Sequence, residues 1–117
     1  SKEARARFPA RLLHTQPIKI RPGGTVLVRL AIPRGSGSDK LQVLLSEPPE
    51  GISLKRSTFS PDGAVLELHA DSEKVRPGLR TNLIAEVYPE AGKSGKPSRF
   101  PLGTFPAIPV EVIRPGR

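Results

Sequence analysis

The amino-acid sequence predicts an all-β fold, an antiparallel sandwich of about seven strands, and three observations lead to this prediction. Apolar and polar residues alternate within short segments, and Pro and Gly mark the ends of those segments. No segment has the apolar period of an amphipathic helix. Apolar residues make up 36% of the chain but aromatic residues only 4%, so Val, Leu and Ile must build the core. The 117 residues suit one domain, since a single sandwich needs roughly 100.

The first three predicted strands are separated by turn and loop sequences. Residues 16–21 end at Pro22-Gly23-Gly24, which is a turn signal. Residues 25–32 alternate most clearly, and the inward set is Val26, Val28, Leu30 and Ile32. Pro33 lacks a backbone donor and ends this strand, and the Gly- and Ser-rich residues 34–40 predict a loop. The third strand follows at residues 41–46.

Two middle strands follow turn sequences. Pro48-Pro-Glu-Gly51 leads into a short strand at residues 52–54. The charged residues Lys55 and Arg56 then take the chain to the surface. The next turn is Ser60-Pro-Asp-Gly63, in which Pro presets φ, Asp bonds its own backbone and Gly accepts a positive φ. A strand at residues 64–70 then alternates, with Leu66, Leu68 and Ala70 inward.

The last two predicted strands are joined by a long connection. Residues 80–88 place Leu83, Ala85 and Val87 inward. Residues 89–106 form the connection, and residues 107–113 form the final strand, in which Pro109 indicates a sheet edge or a bulge. Seven strands favour a two-sheet Greek-key sandwich over a five-stranded barrel.

The predicted domain covers residues 16–113, followed by a short tail at residues 114–117. Residues 1–15 have no clean period and few apolar side chains, so we expect a linker or a loosely held segment. Three alternatives stay open for it: a frayed linker, a helical turn, or an edge strand through Phe8, Leu12 and Leu13.

The formal charge of +8 is distributed along the chain. Residues 1–14 hold +3, and Arg114 with Arg117 adds +2. The interval 15–113 therefore holds +3, with 13 basic and 10 acidic side chains interspersed. Such a mixed surface is typical of a solvated protein rather than of a single-sign field. Nucleic acid is therefore not an expected partner.

Composition also bears on compartment and targeting. The chain has no Cys, which excludes a disulfide framework, a thiolate metal site and a thiol nucleophile. No apolar run approaches the roughly 18 residues that a membrane-spanning helix requires, so no transmembrane segment is predicted. No signal peptide is present, and the start at Ser1 without Met indicates a piece of a longer protein.

Candidate catalytic and zinc-binding residues are few. A catalytic triad or zinc site would need His14 or His69. His69 alternates with Glu67 on the predicted solvent side of a strand, so we interpret it as an ordinary exposed residue. No His-Glu-x-x-His spacing occurs. The prediction is therefore a non-enzymatic protein without catalytic residues, cofactor or metal.

Calcium and phosphate sites have equally weak candidates. Asp62, Asp71 and Glu73 are the best carboxylates for calcium, although each also suits a turn or a solvated loop, and calcium binding stays open. Gly35-Ser-Gly37 is not followed by a predicted helix, so no helix dipole would meet a phosphate there.

Two basic loops give one binding hypothesis. In a seven-strand immunoglobulin topology, the loop after the second strand and the loop before the last strand lie at the same end. Their cations could form a patch for an acidic polysaccharide or another polyanion. The alternative interpretation is two ordinary polar loops. The candidate anion-binding residues are Arg34, Lys40, Lys93, Lys96 and Arg99.

Three turn-and-strand motifs carry a resemblance to a known family. Pro48-Pro-Glu-Gly-Ile-Ser-Leu54, the alternating residues 64–71, and Arg76-Pro-Gly-Leu79 leading into a strand resemble the bacterial immunoglobulin-like domains. Those domains occur in tandem in secreted and cell-surface proteins, often beside peptidase or glycosidase domains. The similarity covers about residues 16–113. The chain lacks both the aromatic residue that commonly follows the Pro-Gly turn and a core Trp.

The resemblance implies a structural, spacer or adhesive role and transfers no catalytic residues. The implied partners are other domains of the same parent chain or another protein. The implied location is extracellular, periplasmic or at the cell surface. Polyanion or carbohydrate binding through the basic loops is the alternative function.

Overall fold

Every regular element of the described chain is a β-strand. A computed structural model describes residues 9–32, 41–89 and 103–114, which form nine strands and no helix. The strands are β1 Arg11–Leu12, β2 Ile18–Ile20, β3 Thr25–Ala31, β4 Leu41–Ser46, β5 Ile52–Ser60, β6 Gly63–Ala70, β7 Arg80–Pro89, β8 Gly103–Thr104 and β9 Ile108–Val112. The prediction of an all-β fold is confirmed.

The strands form two sheets packed as a sandwich. The first sheet has the order β1-β3-β6-β5, and the second has the order β2-β9-β7-β4 with β8 also paired to β7. Neighbouring strands are antiparallel except β2 and β9, which run parallel. This pair departs from the antiparallel arrangement that the sequence predicts. β1 pairs with β3 in the first sheet and β2 pairs with β9 in the second, so the chain changes sheets between Leu12 and Ile18.

The core lies between the sheets and is almost entirely aliphatic. The inward residues predicted for β3, β6 and β7 are buried or packed against the core, and Ile108, Val110 and Val112 of β9 follow the same period-two alternation. Val75 and Phe105 are also buried, although they lie in segments that the sequence predicts as connections. The largest fully buried side chains are Ile20, Leu30, Ile32, Leu66, Leu68, Ile108, Val28, Val87, Val110 and Val112.

β5 extends well beyond the short strand predicted at residues 52–54. It pairs with β6 along its whole length, and the register shifts between Leu54 and Arg56. This bulge places Lys55 and Arg56 together on the exposed surface, because one extra residue interrupts the alternation. The sequence prediction ended the strand at this break in the pattern.

Gly63 closes the β5–β6 turn for a different reason from the one predicted. Its φ lies outside the positive region, so conformational freedom does not select glycine here. An added Cβ would instead lie 2.8 Å from the carbonyl oxygen of Leu30 on the neighbouring strand. Glycine is therefore explained by close approach of the β3 backbone.

β8 and β9 follow one side of β7 as an interrupted strand. Thr104 pairs with Glu86 and Ile108 with Leu83, which is a register shift of one residue. The backbone N–H of Phe105 still donates to Ala85 at 3.0 Å. β9 lies between β2 and β7, so the edge position considered for Pro109 is wrong. Pro109 pairs with Asn82 in an unbroken register, and the shift lies before Ile108 rather than at Pro109.

The N-terminal segment is an edge strand where the structure describes it. Arg11 and Leu12 pair with β3, and the N–H of Leu13 donates to Arg29 at 3.0 Å. The next bond comes from a side chain, since the N–H of Arg29 donates to Nε2 of His14 at 2.9 Å. His14 thus extends the pairing of β1 with β3.

Replacing His14 with Ala is expected to cost about 1 kcal/mol, because the Arg29 amide loses its acceptor. Hydrogen exchange of the Arg29 amide should become about fivefold faster, as measured by NMR, because 1 kcal/mol is about a factor of five. His69→Ala is the control, since its Nδ1 only approaches Thr25 Oγ1 at 3.5 Å. Equal exchange rates in both variants would contradict the role of His14.

Candidate basic groove on the second sheet

The cations predicted to form an anion-binding patch are not placed by the structure. Arg34, Lys40, Lys93, Lys96 and Arg99 all lie outside the described residues. The hypothesis based on those two loops therefore stays a prediction. A different set of cations meets on the outer face of the second sheet.

An open groove of about 440 Å³ crosses the outer face of β2, β9 and β7. Its charged lining residues occupy outward positions, because the residues that alternate with them point into the core. Its neutral lining includes two prolines and three side chains that can form hydrogen bonds. The lining residues are Gln16, Pro17, Lys19, Arg80, Thr81, Asn82, Pro109, Val110 and Glu111.

A row of three charged residues crosses this groove. Lys19 on β2 pairs in register with Glu111 on β9, and Glu111 pairs in register with Arg80 on β7. β9 and β7 are antiparallel, and directly opposed residues of antiparallel strands have Cβ atoms about 4.5–5.5 Å apart, so Glu111 and Arg80 can interact. Lys19 is in register with Glu111 on the parallel side. One carboxylate therefore lies between two cations, and the row has an excess of one positive charge.

The ion pair within this row leaves Arg80 accessible. Arg80 Nε lies 3.7 Å from Glu111 Oε2, with the Arg80 side chain 80% exposed and that of Glu111 25%. Exposed ion pairs of this kind contribute only about 0.2–1 kcal/mol. Glu111 can therefore orient the Arg80 guanidinium. The other N–H donors of Arg80 remain available to a ligand.

Two further cations lie beside the row at the same end of the sheet. Arg21 is exposed and follows the last residue of β2, while the Arg114 guanidinium lies against Gly78. Gly78 has a φ of +90°, which favours glycine, and a Cβ at this position would lie 3.0 Å from Arg114 Nη2. The Gly78 N–H also donates to Val112 O at 2.6 Å, which holds this turn on β9. We call the lining residues together with Arg21 and Arg114 the basic groove.

The basic groove is suited to attracting carboxylate or sulfate groups. The lining holds the cations Lys19 and Arg80 and the carboxylate Glu111, and Arg21 and Arg114 add two positive charges on the adjoining segments. Guanidinium groups bind carboxylates through paired hydrogen bonds, whereas the ammonium of Lys19 acts as a point charge. Attraction between exposed charges is screened over about 8–10 Å at ordinary salt, so it falls as salt rises.

The carboxylates considered for calcium have local structural roles. Asp71 Oδ1 accepts a hydrogen bond from the Glu73 N–H at 2.9 Å, which is an Asx turn. Asp62 Oδ1 lies 3.5 Å from Ser60 Oγ in the β5–β6 turn. Within the residues that the structure describes, no group of three or more His, Cys, Asp or Glu could hold a metal ion.

The sequence predicts the strands but not the basic groove. Alternation does place Lys19, Arg80 and Glu111 at outward positions, but it does not show that these three residues are neighbours. The row itself depends on parallel pairing of β2 with β9, two strands from opposite ends of the chain. A purely antiparallel arrangement does not predict that contact.

Comparison of the chain with protein-family models, curated proteins and solved structures finds no match. No helix that could cross a membrane occurs within residues 9–32, 41–89 and 103–114.

Proposed function

We propose that this chain is a non-catalytic interaction module, an immunoglobulin-like Greek-key domain of a larger exported bacterial protein. The strand order supports the immunoglobulin-like assignment. An immunoglobulin constant-type domain has strands A, B, E and D in one sheet and C, F and G in the other. Assigning A to β1, B to β3, C to β4, D to β5, E to β6, F to β7 and G to β9 reproduces both sets and the order of the first sheet. The bacterial and exported setting rests on the family resemblance of the turn motifs.

The basic groove is the surface that we assign to binding, and the cross-strand row is the observation that carries the proposal. Rigid strands hold Lys19, Glu111 and Arg80 in a fixed register, so their charges are organised before a ligand arrives. Glu111, the carboxylate in the lining, is already paired with Arg80. This arrangement supports recognition of a charged partner rather than acid–base chemistry.

The partner that best fits the basic groove is an acidic protein segment in an extended conformation. The cations attract its carboxylates, and Gln16, Thr81 and Asn82 can donate to and accept from its peptide groups. The described lining contains no aromatic ring on which a sugar could stack. Such a segment could belong to another protein or to a neighbouring domain of the same chain.

The test measures binding of a fluorescent eight-residue glutamate peptide by anisotropy in 50 and 300 mM NaCl. We expect the wild-type affinity to fall at least tenfold at the higher salt, because the attraction is screened. Arg80→Glu should weaken binding about tenfold in 50 mM NaCl, because a cation facing the ligand becomes an anion.

Arg56→Glu is the matched control on the other sheet. Arg56 is 76% exposed, and its Nε lies 4.0 Å from Oε1 of Glu67 on the adjacent strand, so the same charge change occurs in a similar setting. Affinity should change much less in this variant than in Arg80→Glu. Equal losses would mean that only net charge matters, and the groove assignment would be wrong.

Polyanion binding remains the second candidate function, now favoured by the cations of the basic groove. A heparin oligosaccharide in the same assay distinguishes it from peptide binding. Binding of heparin but not peptide, with loss in Arg80→Glu, would place a polysaccharide in the groove. If heparin binding is lost only when Lys93, Lys96 and Arg99 are all changed to Ala, the result would instead favour anion binding by the two basic loops.

A further inference from the structure

We infer that β4 is an association edge for a second copy of this chain, through antiparallel pairing of two β4 strands. A sheet edge presents unpaired backbone donors and acceptors, so proteins usually protect it. In the described part of the chain, β1 and β5 lie at the edges of the first sheet, β2 and β4 lie at the edges of the second, and β8 is paired on one side only. This inference depends on different residues from those of the basic groove.

The edge strands other than β4 carry recognised protective features. β1 and β8 have only two residues each, and β2 has three with Lys19 at its centre. β5 is long, but the bulge at Lys55 interrupts its ladder and places Lys55 and Arg56 on the surface. Short length, lysine and bulges all discourage pairing with another chain.

β4 has none of these features. Its six residues Leu-Gln-Val-Leu-Leu-Ser include no charge, proline or glycine, and its register with β7 is unbroken from Leu41 to Ser46. Leu44 points outward and is 44% exposed. Within the described residues, β7 is the strand that pairs with β4, and no strand pairs with the opposite side of β4.

A second copy fits this edge because β4 is self-complementary. When Leu44 lies opposite Leu44 of the partner subunit, Gln42 lies opposite Ser46 and Val43 opposite Leu45. This register keeps inward residues beside inward residues, whereas a one-residue slip would mix the two faces. It also puts no like charges opposite one another and covers the exposed leucine.

The expected dimer is weak and depends on salt. One pair of six-residue strands buries much less than the roughly 800 Å² per partner that is typical of a stable complex. Each chain also carries a formal charge of +8, so two copies repel one another at low ionic strength. Association should therefore strengthen with salt, which is opposite to the trend for an acidic ligand in the basic groove.

Sedimentation equilibrium from 10 to 500 μM protein, in 50 and 500 mM NaCl, tests the dimer. The weight-average mass of the wild type should rise toward that of a dimer, and more strongly at 500 mM NaCl. Leu44→Lys should weaken association at least tenfold, because the two-fold axis places the new charges opposite one another. Leu27→Lys is the matched control, since Leu27 is also an outward leucine, 43% exposed, but lies on the first sheet.

Single cysteines test the register, and the absence of native Cys makes the result simple to interpret. Leu44→Cys should form an intermolecular disulfide at least tenfold faster than Ser46→Cys, because only residue 44 faces its own copy in this register. A wild type that stays monomeric at 500 μM and 500 mM NaCl would overturn the inference, as would equal cross-linking rates. Glutamate-peptide binding should be unchanged in Leu44→Lys, so failure of this inference is distinguishable from failure of the proposed function.

Discussion

Replacing Gly51 with Ala is expected to lower the free energy of unfolding by about 3–5 kcal/mol, by combining backbone strain with overpacking. Gly51 has a φ of +92°, a region that residues with a Cβ rarely adopt. An added Cβ would lie 2.5 Å from Val75 Cγ1 and 2.7 Å from the Val75 backbone nitrogen. Urea denaturation followed by circular dichroism measures the loss.

Val75 cannot easily move away from this clash. Its N–H donates to the Asp71 carbonyl at 2.9 Å, and the Asp71 N–H donates to the Gly51 carbonyl at 2.8 Å. Val75 is also buried in the core. The turn after β6 and the loop before β5 are therefore packed against each other, and Gly51 is the point of closest approach.

Gly23→Ala separates the two contributions to this loss. Gly23 also has a positive φ, +80°, but its added Cβ would lie 3.5 Å from Ser72 Cβ, an ordinary contact. Only backbone strain remains, so the expected loss is about 1–2 kcal/mol. If both glycine variants lost the same stability, the contact with Val75 would not explain the larger effect.

Leu66→Ala is expected to destabilise the fold by about 2–5 kcal/mol, through lost apolar burial and a residual cavity. Leu66 is 0% exposed and lies on β6, between Val28 on β3 and Ser57 on β5. Neighbours on both sides and the opposing sheet restrict collapse around the cavity. The midpoint of urea denaturation should fall while its slope stays constant.

Leu27→Ala is the control for this core variant. It removes the same atoms from the first sheet, but from an outward position that is 43% exposed. The expected change is within about 1 kcal/mol, because less apolar area is lost and no cavity forms. A loss in Leu27→Ala as large as that in Leu66→Ala would contradict the assignment of the two faces.

Local patterns predicted much of the fold. The faces of β3, β6, β7 and β9 follow from alternation alone, because side chains on a strand point to opposite sides in turn. The prediction failed where this local rule breaks. The bulge at Lys55 interrupts the alternation of β5, so its second half was not predicted. The two-residue strands β1 and β8 are too short to show a period.

Buried residues outside regular strands were also beyond prediction. Val75 lies in a turn and Phe105 beside the register shift between β8 and β9, and neither has a periodic neighbour to mark it. The candidate site was missed for a related reason. The sequence analysis predicted a site in two basic loops, whereas the described cations of the basic groove are Lys19 and Arg80 on strands and Arg21 and Arg114 just beyond strand ends.

By itself, the sequence determined the all-β class, several turns and the inward faces of β3, β6 and β7, since these depend on residues a few positions apart. The tertiary structure decided which strands are neighbours. Only that pairing joins Lys19, Glu111 and Arg80 into one row and leaves β4 at an edge. The physical reason is that sheet order depends on the packing of all inward faces together, so contacts between distant strands have no local signature.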